Sequence, residues 1–352
     1  MLRLTMNGRG SVLCDVILLL SLVLLSAVFL THYADVTRRN SRDFIVPEVT
    51  SDERESAGES PSTGAAVGQQ TADDVLRRIP DLRSAVCRYR KYKQLPLATI
   101  VVVFKDYEFY DAKLTLTSLL RDADLAHLVT ELILVDDASS REQVLEDTQN
   151  YIRSVSTSFP AVRLVRLRTR VGRVRARSFA VDEHVTNDVV VFVDAGVVCL
   201  PGWLSPLLEL VGSASDGQTT IAVPHYHHVI NPVTLDYVPT SSELVATMSW
   251  SLTIRMRYQT TSRDSTSSDS DASRLWRTVP VLRGEVMAVR RTFLSSVGGL
   301  YDARLESGTG VGEHVELSLR TWLCGGSIKV GAIYGEVRIC CRRMNSAVLY
   351  GI

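Results

Sequence analysis

The chain has 352 residues, room for one large domain or two small ones. Lysine plus arginine and aspartate plus glutamate are equal at 39 each, so no net field draws the protein to nucleic acid or another polyanion. A hydrophobic fraction of 45% is enough for a substantial core.

The N-terminus stands apart from that core. Residues 11–30 read SVLCDVILLLSLVLLSAVFL, an apolar run with a single charge, Asp15. A helix of about 20 such residues crosses a bilayer. A cleaved signal peptide is the competing reading, with an apolar stretch of about 7–15 residues and a small-residue cleavage site. The length here, with no clear A-x-A site after it, favours a transmembrane signal-anchor over residues 11–31 behind a cytoplasmic tail, 1–10. Arg3 and Arg9 on one side face Arg38, Arg39 and Arg42 on the other, so the short tail, more than charge, sets the bulk outside the cytosol.

Residues 32–80 are rich in Ser, Glu, Gly and Gln without apolar periodicity, a disordered stalk. Anchor, stalk and head together predict a single-pass type II protein of the secretory pathway. Of six cysteines, Cys14 lies in the apolar run. Cys87, Cys199, Cys324, Cys340 and Cys341 have no metal-site spacing. One or two disulfides fit, joining Cys87 or Cys324 to the Cys340/Cys341 pair.

From Leu95 the pattern alternates strand and helix. Residues 98–104 (ATIVVVF) form an apolar, β-branched run, the composition of a buried parallel strand. Helical spacing follows over 110–121, a strand over 131–135 ending in Asp136-Asp137, and an amphipathic helix over 141–155. A third strand over 162–167, a helix over 173–185 and a strand over 189–193 then deliver Asp194. Four such repeats imply a parallel, doubly wound sheet whose ligands lie off the carboxyl ends of the strands. Both acidic turns lie at such ends. A lone aspartate there is usually the N-cap of the next helix, but two in one array, the second followed by Gly202-Trp203, argue for a site.

After Trp203 the pattern is irregular. Pro224-His225-Tyr226-His227-His228 has no fixed third partner for a metal and reads as an exposed strand or loop. Residues 262–273 (SRDSTSSDSDAS) are low-complexity loop. Residues 279–289 read as a strand with Gly284 inside it, 298–302 as a turn, and 315–323 as a short helix stopped by Gly325-Gly326.

The order of these pieces resembles the catalytic domain of the polypeptide N-acetylgalactosaminyltransferases, which start mucin-type O-glycosylation. DLRSAVCRYRKY, LPLATIVVVF, VDDASS, RTRVGRVRAR, FVDAG, CLPGW, LSPLL, YDAR, GVGEH and LRTWLCGG follow in the family's order. The resemblance implies an α/β head over residues 81–342 with the GT-A-type glycosyltransferase fold, a doubly wound mixed sheet with nucleotide-binding and acceptor halves. Residues 343–352 are then a tail.

Position by position, the resemblance assigns Asp137 to the uridine, Arg170 to nucleotide and donor, and Gly284 to the donor sugar's surroundings. Trp250 falls in the acceptor half, and Glu313 beside the reacting sugar. Asp194 would hold Mn2+, bridging the donor's phosphates and stabilising the charge on departing UDP. The family's two metal histidines fall at Gly196 and Glu336. Glutamate is a hard ligand, so Asp194 and Glu336 with waters would hold a weakened ion, or the ion is lost. Lys105-Asp106-Tyr107, Gly310, His314, Glu285 and Ile339 also depart from the family's pattern.

The resemblance thus implies a retaining transferase that takes UDP-GalNAc or another UDP-sugar to Ser/Thr of a secretory polypeptide, anchored in the Golgi membrane with its head in the lumen. The alternatives are a catalytically inactive homologue acting as a Golgi binding or regulatory protein, and a truncated gene product without the family's lectin-like domain.

Overall fold

The computed structural model describes residues 89–106, 108–122, 125–156, 159, 161–213, 217–231, 236–237, 242–248, 254–260, 276–302, 312–331 and 340–343. Backbone alone is described for 226–231, 236–237, 242–248, 254–260, 312 and 340–343. The expected anchor, stalk, 262–273 loop and C-terminal tail lie outside these residues, as do Trp250 and Glu336. Among the described residues no helix is long and apolar enough to cross a membrane.

The first half alternates as its apolar pattern dictates: β1 (Ala98–Phe104), α1 (Glu108–Leu120), β2 (Val129–Asp136), α2 (Glu142–Val155), β3 (Val162–Arg166), α3 (Arg173–Glu183) and β4 (Val189–Asp194). β1 and β4 are buried along their whole length, which is why they read as unbroken apolar runs rather than alternations. β3 is the sheet's end strand, and there charged residues reappear.

The chain continues through β5 (Val197–Cys199), α4 (Leu204–Gly212), β6 (Thr220–Val223), β7 (His225–Asn231), β8 (Asp236–Tyr237), β9 (Ser242–Met248), β10 (Ile254–Thr260) and β11 (Trp276–Thr278). It closes with β12 (Val286–Arg290), α5 (Arg291–Ser296), α6 (Gly312–Leu323), β13 (Ser327–Gly331) and β14 (Cys340–Arg343).

The main sheet has eight strands in the order β11-β13-β6-β12-β4-β1-β2-β3. β3, β2, β1 and β4 run parallel, whereas β12 is antiparallel to both β4 and β6, so the sheet is mixed. After β1 the chain adds β2 and β3 on one side and β4 on the other. That reversal opens a crevice at the carboxyl ends of β1 and β4, where ligands of open α/β sheets bind.

Three expectations shift. Residues 279–289 are not one strand: Pro280 has no N–H for a ladder, and β12 begins only at Val286, after a turn at Gly284-Glu285. The last helix starts at Gly312, which puts Glu313 in its first turn. His225 is buried rather than exposed, because β7 lies between β14 and β8 in a second sheet of order β5-β14-β7-β8. Cys324 is disulfide-bonded, and Cys199 is buried in the core.

The core is a layer of valine, leucine and isoleucine from the central strands, with Trp203, Phe104, Phe109 and Phe192 fully buried. One of the largest fully buried side chains is charged: Arg177, 1% exposed. A buried guanidinium needs a partner, and that partner lies in the crevice.

Candidate functional site

The strand ends are held in rank by the sheet's register. Val103 pairs with Asp194, and Phe104 with Asp136. The Asp194 N–H donates to the Glu285 carbonyl at 2.7 Å, so β4 and the Gly284-Glu285 turn meet at the crevice.

Asp194 is 5% exposed, and its two oxygens face two arginines. Arg177 Nη2 donates to Oδ1 at 2.6 Å, and Arg173 Nη1 to Oδ2 at 3.4 Å. Arg173 Nη2 donates to Glu313 Oε1 at 2.8 Å. Arg177 Nη1 reaches the Gly284 carbonyl at 3.2 Å and the Tyr301 hydroxyl at 3.4 Å. Its guanidinium also stands 5.3 Å from the Phe192 ring centre. Four residues apart on α3, the two arginines share one helix face.

Burial opposes the charge on Arg177, but Asp194 and Tyr301 outweigh it and push its pKa up. Arg173 behaves alike: burial lowers, while Asp194 and Glu313 raise it to a net upward shift. The Tyr301 hydroxyl is pushed up by burial against the pull of Arg177. Both guanidiniums are charged at any physiological pH, and the cluster balances two positive charges against two negative.

Behind it lies His314, whose imidazole is held below its ordinary pKa by burial despite the nearby Glu313. Its ring fills the space beside Gly284, where a Cβ would sit 2.2 Å from Cε1. Glu285 pairs with Arg283 at 3.1 Å, and that pairing outweighs the effect of burial to lower its pKa.

The other acidic turn is bonded differently. The Asp137 oxygens each accept a backbone N–H at 2.8 Å, from Val171 and Gly172. Gly172 has φ +84°, a conformation that favours glycine, and leads directly into α3. Asp137 therefore fixes the turn that aims Arg173 at Asp194. Arg170 is exposed on the approach to the same turn.

Of the residues expected at the site, Asp194, Gly284 and Glu313 converge, and Asp137 and Arg170 join them through the 170–173 turn. Sequence reasoning missed Arg173, Arg177 and Tyr301. The available signal was the four-residue spacing in RVGRVRAR, directly after a turn that an acid clamps.

A divalent cation does not fit the described residues. Arg177 already cancels the charge of Asp194, Arg173 covers its other oxygen, and Gly196 contributes no side chain. No group of three or more His, Cys, Asp or Glu side chains among the described residues is arranged to hold a metal.

Residues 99–273 match the family model for glycosyl transferase family 2, the class that the fold and crevice define. Mouse polypeptide N-acetylgalactosaminyltransferase 5 is 31% identical over 257 residues, 73% of this chain and 26% of that protein. Human polypeptide N-acetylgalactosaminyltransferase 15 is 32% identical over 256 residues, 72% of this chain and 37% of that protein. The chain belongs to the polypeptide N-acetylgalactosaminyltransferase family and matches its catalytic domain. It spans between 26% and 37% of the length of these two relatives. The crystal structure of GalNAc-T7 with UDP, GalNAc and Mn2+ has a TM-score of 0.65 at 22% identity, over 78% of this chain and 49% of that one. That likeness establishes the GT-A-type fold.

Proposed function

We propose that this chain is a transferase of mucin-type O-glycosylation, taking N-acetylgalactosamine from UDP-GalNAc to Ser or Thr of secretory polypeptides. The observation that carries the reading is the cluster of Asp194, Arg177, Arg173 and Glu313 at the crevice where the strand order reverses. In the transfer, the bond from the sugar's anomeric carbon to the diphosphate breaks and its electron pair stays on UDP. The acceptor hydroxyl oxygen bonds to that carbon, and its proton passes to the diphosphate oxygen that departs with the electron pair. Guanidiniums fixed beside the departing phosphate stabilise its growing charge without reorganising. Glu313 stands beside the sugar, with Asp137 and Arg170 on the nucleotide side. A type II anchor over residues 11–31 would hold the head in the Golgi lumen.

A second reading is a catalytically inactive homologue that retains the cleft. It is favoured by His314, whose ring fills the space beside Gly284 where the resemblance puts the donor sugar.

Incubating the full chain with radiolabelled UDP-GalNAc and Ser/Thr-rich peptides separates the two. Label on the peptide is the expected result. No transfer with UDP still bound selects the inactive homologue. No UDP binding under any condition overturns the transferase reading and leaves the inactive homologue.

A further inference from the structure

Resting on the UDP-sugar reading, we propose that Arg173 and Arg177 take the part of the divalent cation, so that this cleft holds a nucleoside diphosphate without metal. Three observations converge on it. First, both oxygens of Asp194 are engaged by guanidiniums, at 2.6 Å and 3.4 Å, which leaves the carboxylate no free charge to offer a cation. A divalent ion placed against it would also be repelled by two fixed positive groups.

Second, the arginines retain unused donors. Arg173 spends Nη1 on Asp194 and Nη2 on Glu313, yet its Nε is buried without a protein partner. Arg177 Nε is likewise buried and unpartnered, on a side chain 1% exposed. Buried donors are ordinarily satisfied, so the Nε of Arg173, the partly exposed member of the pair, is the N–H placed to meet an acceptor from outside the chain. Third, the two differ in access. Arg177 is sealed behind Asp194, whereas Arg173 is 34% exposed and stands between Asp194 and Glu313.

A planar guanidinium with five N–H groups matches phosphate oxygens pairwise, which a spherical ion does through coordination instead. The ligand class is therefore a diphosphate, met first by Arg173, with Arg177 fixing the Asp194 carboxylate behind it. Because Arg173 exchanges a carboxylate for a phosphate, binding weakens with added salt.

The test is calorimetric titration of the full chain with UDP, in EDTA and in Mn2+, for the wild type, Arg173→Leu and Arg173→Lys. The wild type is expected to bind with the same Kd in both buffers to within about twofold, and Arg173→Leu to bind about tenfold or more weakly. Arg173→Lys keeps the charge without the planar fork and is expected between them; thermal melts confirm that each variant folds. Wild-type binding that appears only with Mn2+ overturns this inference and leaves the UDP-sugar reading standing. So does Arg173→Leu binding as tightly as wild type in EDTA. No binding in either buffer overturns the UDP-sugar reading itself.

Discussion

The turns after β2 and β4 start alike, with an aspartate at the carboxyl end of a buried parallel strand, and end in opposite chemistry. Asp137 gives both oxygens to backbone N–H groups of Val171 and Gly172, so its charge is spent on shaping a turn. Asp194 gives both oxygens to side chains, Arg177 and Arg173, so its surroundings are set by residues that substitution can change. A carboxylate at a strand end marks a place where chemistry is possible. What the carboxylate bonds decides whether it shapes the chain or a ligand site. Here the first turn serves the second, since the segment Asp137 clamps is the one that delivers Arg173.

The largest effect that would break this contrast is at Asp194. Asp194→Ala strips the partner from a guanidinium that is 1% exposed, and removing one member of a buried pair costs about 3–5 kcal/mol. Urea unfolding measures it, and a loss below about 1 kcal/mol would show that Arg177 finds other partners. Asp137→Ala leaves two backbone N–H groups without their charged acceptor, for an expected loss of about 2–3 kcal/mol by the same measurement. It should also loosen UDP binding, because Arg173 is no longer aimed.

Gly284→Ala drives a methyl to 2.2 Å from the His314 ring, an overpacking expected to cost about 1–3 kcal/mol. Adding His314→Ala should recover most of that loss; no recovery would mean that the backbone, not the ring, sets the need for glycine.

A smaller effect lies in pH. Burial keeps His314 neutral in the folded chain, while the unfolded chain takes up a proton below the ordinary value of 6.5. Stability contributed by the neutral imidazole is therefore present above 6.5 and falls as pH drops below it. Melting curves between about pH 7 and 5 should show a shallower decline in His314→Gln than in wild type. Equal slopes would place the titration elsewhere.

Much of the fold was legible because β1, β2 and β4 are covered on both faces, and a short β-branched apolar run between polar turns suits a buried strand better than a helix. The split before β12 was less so, since Pro280 interrupts a segment whose composition otherwise suits a strand. At the site, Asp194 was legible from its place at the carboxyl end of β4. Its partners were not, because an arginine-rich helix start reads as a solvated face. The pair that closes the cluster, Arg173 with Glu313, spans 140 residues of chain, and no local pattern carries a contact of that range. His225 failed for the same reason: the strand it pairs with, β14, lies far along the chain.

In the proposed metal-free cleft, guanidiniums rather than a metal ion neutralise Asp194. Crystals of the full chain grown with UDP and Mn2+, with diffraction recorded at the manganese absorption edge, test it most directly. UDP is expected against Arg173, with no anomalous peak at coordinating distance from Asp194. A manganese peak there, with Arg173 swung away, would contradict it.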